Sequence, residues 1–259
     1  MNIDVLNKEN IKNLTKANAP IEVLAETDST NLYLKAKATN LPEGAAVIAE
    51  KQTAGRGRFT RKFHSPENCG IYMSVLLRPE IPAEDAVLIT AVTAVCVCEA
   101  IEQLCRKDTQ IKWVNDILIN SKKVCGILAE SVLNPKNGTI ERTVVGIGIN
   151  VYEPENGFSR DIKDIAGFIA NEQTENLRNR ICAEIINRLL YHSRHLKERS
   201  FLADYRKRSA VIGKTVNVIG DSKTETATAL EIDDNCRLLV EYPNKTHQYL
   251  NSGEISIKI

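Results

Sequence analysis

The sequence predicts an α/β protein of the α+β kind, in which a large part made of strands and helices precedes a small all-β module. Two observations favour this fold class. Apolar strand-like runs alternate with two long helical stretches over most of the chain, and after Gly213 the pattern changes to short alternating strands. A length of 259 residues suits one large domain with a smaller one attached. We therefore expect domains at 1–208 and 209–259.

The elements of the larger domain follow from apolar runs bounded by Gly, Pro, Asn and Asp. Residues 83–104 are too long and too rich in alanine for a strand and are predicted to be a central buried helix. The predicted elements are, in order, a strand at 21–25, a helix through about residue 37, strands at 45–50 and 71–77, the helix at 83–104, strands at 111–119, 124–132 and 143–151, and an amphipathic helix at 174–199.

Local signals support several of these boundaries. Asp28 or Ser29 is expected to cap the helix that follows it, and Pro79 stops the strand at 71–77. Asn120-Ser121-Lys122 has the composition of a hairpin turn. In the smaller domain, alternating residues predict strands at 215–219, 227–232, 238–242 and 255–259.

Composition limits the class of protein. A net charge of only +1 argues against a protein that coats nucleic acid, so no DNA partner is expected. The seven cysteines form no C-x-x-C pair and lie mostly in apolar runs, which favours reduced buried thiols, and no metal site built from side chains is predicted. No signal peptide is seen and no stretch is expected to span a membrane. We therefore expect a cytoplasmic protein without a membrane partner.

The most informative motif is the run 52–58, Gln-Thr-Ala-Gly-Arg-Gly-Arg, followed by Arg61. Glycines let the backbone approach a ligand closely, and guanidinium groups grip carboxylate and phosphate oxygens in pairs. The spacing matches neither the P-loop nor the dinucleotide-binding glycine motif. A solvated basic loop is the alternative for this run considered alone, but its composition favours a loop that encloses an anion.

Three further clusters carry polar residues where a strand or helix begins or ends. Ser29-Thr30-Asn31 offers hydrogen-bonding side chains, with a plain helix cap as the alternative. In 112–116, Lys-Trp-Val-Asn-Asp, a continuous strand would place Lys112, Val114 and Asp116 on one face, and charged groups there are costly unless paired. An edge strand with a wet polar face is the alternative. The glycines of 146–151 indicate close approach of a ligand or another backbone.

Together these motifs resemble the biotin–protein ligases, which activate biotin and attach it to a carboxylase lysine. The resemblance runs from Ser29-Thr30-Asn31 through 52–58, 112–116, 123–128 and 146–151 to Ser252-Gly253-Glu254-Ile255-Ser256. It implies a mixed-sheet α/β catalytic domain related to class II aminoacyl-tRNA synthetases, followed by a small C-terminal all-β barrel of the Src-homology type. Family members that are also repressors carry an N-terminal helix-turn-helix domain. Only 28 residues precede Ser29, so we expect the type that is a ligase alone.

The resemblance implies ATP-dependent formation of biotinyl-5′-adenylate, then transfer to a lysine of a biotin carboxyl carrier protein or biotin-accepting domain. It implies ATP and Mg²⁺ as cofactors, the metal arriving with ATP and Asp116 helping to place it or orienting a lysine. The implied catalytic residues are Arg56, Lys112, Asp116 and Lys123. The implied biotin contacts are Ser29, Thr30, Asn31, Gln52, Gly55, Arg56, Gly57, Arg58, Lys123 and Gly126. The implied ATP and adenylate contacts are Arg58, Arg61, Trp113, Asn115 and Asn150. A homodimer is a further expectation.

The chain departs from the family pattern at three places. Val114 stands where the family usually has proline, and Phe63 where it usually has tryptophan. The turn Asp233-Asp234-Asn235-Cys236 lacks the usual glycine, and Asn235 is expected to take the left-handed conformation instead. None of these changes removes a charged group. The alternatives kept open are a lipoate or octanoate ligase or transferase, a non-catalytic biotin sensor, and a nucleic-acid-binding protein.

Overall fold

The computed structural model describes residues 4–16, 18–59, 61–219, 223–251 and 254–257. Seven strands form the first sheet: β1 (Ile21–Thr27), β2 (Ala46–Gln52), β3 (Gly70–Leu77), β4 (Gln110–Lys112), β5 (Asp116–Ile119), β6 (Lys122–Leu133) and β7 (Ile140–Asn150). Their order across the sheet is β1-β2-β3-β7-β6-β5-β4. Only β1 and β2 pair in parallel, and the other neighbours are antiparallel. This mixed sheet confirms the predicted fold class.

The second sheet lies near the C-terminus and is antiparallel throughout. Its strands are β8 (Thr215–Ile219), β9 (Thr224–Ile232), β10 (Leu238–Glu241), β11 (His247–Leu250) and β12 (Glu254–Ile257). They follow the order β11-β10-β9-β8-β12. The motif residues Ser252 and Gly253 lie outside the described residues.

In the described parts of the chain five α-helices accompany the sheets: α1 (Lys8–Leu14), α2 (Thr30–Lys37), α3 (Ala86–Cys105), α4 (Leu177–Arg194) and α5 (Leu202–Lys207). Helices α3 and α4 pack on one face of the large sheet and on each other. Helix α2 packs on the opposite face. Its Leu34 belongs to a small apolar cluster with Val47, Leu76 and Val144. Residues next to these three along their strands point to the other side of the sheet, into the core that contains α3. The sheet is therefore the middle of three layers.

The face that carries α2 also carries the candidate site. Residues of β3, β6 and β7 alternate between the two faces, so those two residues apart share a side. Ser74, Gly146 and Gly148 share the α2 side with Leu76 and Val144, and β6 places Gly126 and Leu128 opposite the two glycines. The helix covers only part of this face, and the uncovered part is lined by polar groups and glycines.

The prediction of one strand over 111–119 was wrong. Residues 113–115 form a turn between β4 and β5, and Lys112 pairs directly with Asp116 across this hairpin. The predicted sharing of a face by Lys112, Val114 and Asp116 therefore fails. Trp113 and Val114 look like strand residues because they are apolar, but long-range contacts bury them in the turn. The hairpin predicted at 120–122 is confirmed, with Asn120 and Ser121 both at positive φ.

Other elements differ in extent or were missed. The helix predicted over 174–199 is shorter, ending at Arg194, and α1, α5 and β11 were not predicted. In the turn 233–236 the left-handed residue is Cys236 (φ 57°), so the prediction for Asn235 was wrong. Ser29 is the N-cap residue of α2, but its side chain makes no capping hydrogen bond, whereas Asp28 Oδ1 accepts from the Ser29 amide at 2.6 Å.

We expected no segment with the length and composition of a membrane-spanning helix, and this expectation was wrong. Residues 83–105 of the described chain, a 3₁₀ turn at Ala83–Asp85 continued by α3, meet those two criteria, and 67% of the most apolar window is buried inside the protein. Helix α3 lies against α4, β5 and β6. Its apolar character is accounted for by packing in the core.

An ion pair joins α3 to the segment that follows α5. Arg208 donates to Glu102 through Nη2 (2.8 Å) and Nε (3.1 Å). Burial would raise the pKa of Glu102, but hydrogen bonds from Arg208 and Thr109 outweigh it and hold the pKa below 4.5. A carboxyl group whose pKa is lower in the folded than in the unfolded protein stabilises the fold at pH values above its unfolded-state pKa. This contribution is lost as the pH falls through its folded-state pKa. This pair is thus a stabilising contact at neutral pH.

We expect Glu102→Gln to lower the free energy of unfolding by about 1 kcal/mol at neutral pH. The difference from wild type should shrink as pH falls below the ordinary carboxyl range, where Glu102 itself becomes protonated. Urea unfolding at several pH values measures this, with the exposed Glu84→Gln as the control. A difference that stays constant in acid would contradict the assignment.

Candidate active site

A cavity opens on the α2 side of the sheet. It lies between residues 52–64, which we call the glycine loop, and the turn 113–115. It is lined by residues of α2, the loop, β3, the β4–β5 hairpin, β6 and β7, with Ile255 of the small sheet at its rim. The sequence-predicted residues that line it are Ser29, Thr30, Asn31, Gln52, Arg56, Gly57, Arg58, Arg61, Lys112, Trp113, Asn115, Asp116, Lys123 and Gly126. The fold thus brings nearly all predicted site residues together.

The charge of the cavity wall is strongly unbalanced. The described residues that line it include a single carboxylate, that of Asp116. Its cationic side chains are Arg56, Arg58, Arg61, Lys62, Lys112 and Lys123. This surplus of positive charge favours a ligand that carries several negative charges.

Hydrogen bonds fix the start of α2 against the stem of the loop. Gln52 Oε1 accepts from the Thr30 amide (2.9 Å) and hydroxyl (3.2 Å), and Gln52 Nε2 donates to Ser65 Oγ (2.9 Å). Ser29 is only 2% exposed, and its hydroxyl makes no hydrogen bond with any residue that the structure describes. A buried hydroxyl in this condition is available to a polar ligand.

The glycine loop folds back on itself as a narrow hairpin. Gly57 donates to the Arg61 carbonyl (2.8 Å) and Phe63 to the Gly55 carbonyl (2.9 Å). Phe59, at the tip, is 69% exposed. Gly55 was predicted to contact biotin but is not among the lining residues. A Cβ there would lie 2.4 Å from the Phe63 carbonyl, so its glycine is explained by the hairpin itself.

The loop arginines are tied to the sheet by polar side chains. Arg56 Nη1 donates to both carboxylate oxygens of Glu130, at 3.1 and 3.0 Å. Arg58 Nη1 donates to Asn115 Oδ1 (3.1 Å), and Asn115 Nδ2 donates to the Ile127 carbonyl (3.0 Å). Glu130 was missed by sequence reasoning, although a carboxylate inside an apolar strand is the same signal that singled out Asp116.

The two lysines predicted as catalytic reach the cavity from β4 and β6, the two strands that flank β5. Lys123 Nζ lies 2.6 Å from Asp116 Oδ1, with both side chains partly buried. Lys112, opposite Asp116 in the hairpin, also lines the wall. The Asp116 carboxylate is paired with the Lys123 ammonium group, and this contact can orient the ammonium group in the cavity. Among the described lining residues only Asp116 carries a carboxylate, so a metal here would have to arrive on the phosphates and Asp116 would be the residue that helps to hold it.

Trp113 connects the cavity to the small sheet. Its indole Nε1 donates to the Cys236 carbonyl (2.9 Å), and the ring is 3% exposed while lining the cavity. Next to it, the Val114 carbonyl accepts from the Tyr205 hydroxyl (3.0 Å). The C-terminal part of the chain thereby holds the turn 113–115 in place.

Phe63 fills space that two glycines provide. A Cβ on Gly148 would lie 2.6 Å from the Phe63 ring, and one on Gly126 would lie 3.3 Å away. The ring also makes an edge contact with Tyr72 (6.4 Å between centroids), whose hydroxyl donates to the Pro66 carbonyl. The close approach predicted from the glycines of β7 is made, at Gly148, by this aromatic side chain.

Asn150, predicted to contact adenine, is not among the lining residues. Its Nδ2 donates to the Gly167 carbonyl (2.9 Å), which holds the segment that follows β7. Its predicted role in nucleotide binding stays a prediction. The remaining lining residues offer cationic groups to an extended anion, with Lys123 and Arg56 among them, and place the Ser29 hydroxyl and the Thr30–Gln52 pair in the same cavity.

Comparison with protein families agrees with this geometry. Residues 23–150 match the Biotin/lipoate A/B protein ligase family, and residues 211–258 match the Biotin protein ligase C terminal domain. The first match contains all the motifs of the cavity except the rim contributed by the small sheet.

Curated relatives fall in the same group. The chain is 31% identical to the Bifunctional ligase/repressor BirA of Escherichia coli strain K12, over 92% of this chain and 74% of that protein. It is 31% identical to a Biotin--[acetyl-CoA-carboxylase] ligase of Mycobacterium tuberculosis, over 87% and 85%. The BirA of Bacillus subtilis strain 168 is 42% identical over 60% of this chain, but the match spans only 47% of that protein.

Among solved structures, the biotin protein ligase of Aquifex aeolicus in complex with biotin and ATP superposes with a TM-score of 0.76. It is 28% identical and covers 92% of this chain and 98% of its own. The matched domains, the relatives and the shared fold lead to one conclusion: the chain belongs to the biotin protein ligase family.

Proposed function

We propose that this protein activates biotin with ATP to form biotinyl-5′-adenylate and transfers the biotin to a lysine of a biotin-accepting protein. The observation that carries this proposal is the cavity wall, whose described residues supply six cationic side chains, one carboxylate and the hydroxyl of the buried Ser29. A carboxylic acid and a nucleoside triphosphate are the two anions that such an activation brings together. Membership of the family supplies biotin as the acid.

The residues perform this reaction by binding and neutralisation, and none is needed as a nucleophile. Arg56 and Lys123 lie where they neutralise charge that builds up when the acid's carboxylate attacks the α-phosphate and pyrophosphate leaves. Ser29, Thr30 and Gln52 supply polar contacts at the end of the cavity for the ureido ring. Asp116 would help to hold the magnesium that accompanies the triphosphate, and that ion would supply additional positive charge to the phosphates.

The second step needs only the amine of an acceptor. An uncharged lysine of the acceptor attacks the carbonyl of the mixed anhydride, an amide bond forms, AMP leaves, and the lysine loses a proton. A biotin carboxyl carrier protein or domain is the proposed partner. The cytoplasm is the proposed location, supported by seven free cysteines, of which six are buried.

ATP–pyrophosphate exchange tests the proposal, with biotin, lipoate and octanoate offered in turn. We expect exchange with biotin alone. Exchange with lipoate or octanoate and not biotin would move the protein to the related acid ligases. Biotin binding without exchange would support a sensor and would contradict the proposed activity.

The exposed loop should respond to ligand. We expect biotin with ATP and magnesium to protect residues 52–64 from trypsin, because Arg56, Arg58, Arg61 and Lys62 line the cavity and would be held by the anions. Limited proteolysis with mass spectrometry measures this. AMP alone serves as the control, and cleavage at the same rate with and without the full ligand set would contradict closure.

A further inference from the structure

Glu130 is a carboxylate just outside the cavity that no sequence motif singled out. It comes from β6, on the same face as Gly126 and Leu128, and its side chain is 17% exposed. Its oxygens accept from Arg56 Nη1 (3.1 and 3.0 Å), Asn31 Nδ2 (3.0 Å) and Lys35 Nζ (3.4 Å). Burial would raise the pKa of Glu130, but these three partners outweigh it and hold the pKa below its ordinary value. The group is therefore a fixed anion at neutral pH.

The orientation of Glu130 is set by Asn31. Asn31 Oδ1 accepts from Ser74 Oγ (2.6 Å), and Nδ2 donates to the Leu128 carbonyl (3.2 Å) as well as to Glu130. The amide fits only because position 146 is glycine, since a Cβ there would lie 2.2 Å from Asn31 Oδ1. An amide held by three partners has one orientation and cannot turn to follow a mobile carboxylate.

This network also spans the loop. Ser74 Oγ lies 2.8 Å from Thr30 Oγ1, and Thr30 bonds Gln52, which bonds Ser65. Gln52 and Ser65 lie at the two ends of the glycine loop. Glu130 of β6 binds Arg56, a residue within the loop. Arg56 uses only Nη1 for this contact, and Nε and Nη2 have no partner among the residues the structure describes. The pairing thus fixes the guanidinium and still leaves donors for a ligand.

We propose that Glu130, held by Asn31, is the positioning residue that aims the Arg56 guanidinium at the acid's carboxylate and tethers the glycine loop to β6. The identity of that acid rests on the proposed function, whereas the tether does not. On this inference Asn31 acts mainly by orienting Glu130, and the glycine at 146 serves Asn31 and not the ligand.

The tether is tested without any ligand. Glu130→Gln keeps the shape and the contact with Asn31 but removes the charge that holds Arg56. Trypsin should then cleave the loop at Arg58, Arg61 and Lys62 about three- to tenfold faster than in wild type, since the hold on the loop weakens by a factor of this order. Glu22→Gln, which breaks an exposed pair with Lys37, is the control and should leave the rate unchanged. An unchanged rate in Glu130→Gln would overturn the tether.

The positioning role is tested by a double-mutant cycle on exchange kinetics. Glu130→Gln should raise the KM for biotin about tenfold and the KM for ATP less than twofold. In an Arg56→Ala background the same change should have almost no further effect, because Glu130 acts through Arg56. A full tenfold effect in that background would overturn the inference, as would an equal effect from Lys35→Ala. Loss of exchange in wild type would instead count against the proposed function, leaving the tether result standing.

Discussion

Replacing Lys123 with methionine should lower the rate of adenylate formation by about 10²–10³-fold, because the role we propose for it is to supply a preorganised cation at the reacting phosphate. Lys123 Nζ is the cavity ammonium held by Asp116 at 2.6 Å, so its position is set before the ligands arrive. Biotin-dependent pyrophosphate exchange measures the effect. Biotin binding, followed by calorimetry, should weaken much less than the rate falls, since the charge is needed most when it develops.

Two matched variants separate chemistry from stability. Lys122→Met removes the neighbouring exposed lysine, which donates to the Asp164 carbonyl, and should change the rate less than twofold. Lys123→Met with Asp116→Asn avoids leaving a half-buried carboxylate uncompensated and should restore stability without restoring the rate. Wild-type turnover in Lys123→Met would contradict the assigned role.

Gly148→Ala should weaken biotin binding by about ten- to a hundredfold, the range expected when an overpacked contact costs about 1–3 kcal/mol. The added Cβ would meet the Phe63 ring at 2.6 Å, and the φ of Gly148 is not in the left-handed region, so the cause is steric. The ring would have to move into the cavity or away from Tyr72. Equilibrium binding of biotin, measured by calorimetry, gives the change.

A smaller side chain at position 63 should relieve this clash. Phe63→Leu in the Gly148→Ala background is expected to recover most of the lost affinity, whereas Phe63→Leu alone should cost a few-fold through lost packing. Thermal unfolding of each variant checks that the fold persists. Binding by Gly148→Ala as tight as wild type would show that this contact does not shape the cavity.

Local patterns in the sequence were sufficient to predict most strands of the large sheet. Most contain a short apolar run bounded by turn residues, and the buried helix α3 is long enough to be told from a strand. The turn at 113–115 was not predictable in this way, since Trp113 and Val114 look like strand residues. Their burial depends on Tyr205 and Cys236, which lie far along the chain. Short elements such as α1 and α5 carry too few periodic residues to be recognised.

The site was predicted largely from residue types. The arginine loop and the strand-end clusters contain charges that a core cannot bury without partners, and the fold brings most of them to one cavity. The partners themselves were harder to find. Glu130 and Ser74 each look like a single polar residue in a strand, and their roles follow from Asn31, which reaches both only in the folded chain.

The indole contact between the cavity and the small sheet has a practical consequence. Trp113 is the one tryptophan in the sequence, and its ring lines the cavity while its N–H bonds the Cys236 carbonyl. The intrinsic fluorescence of the whole protein above the tyrosine band therefore arises from a single ring at this junction. Nucleotide stacking nearby and loosening of the C-terminal sheet would each change its emission, so one unlabelled optical signal follows both events.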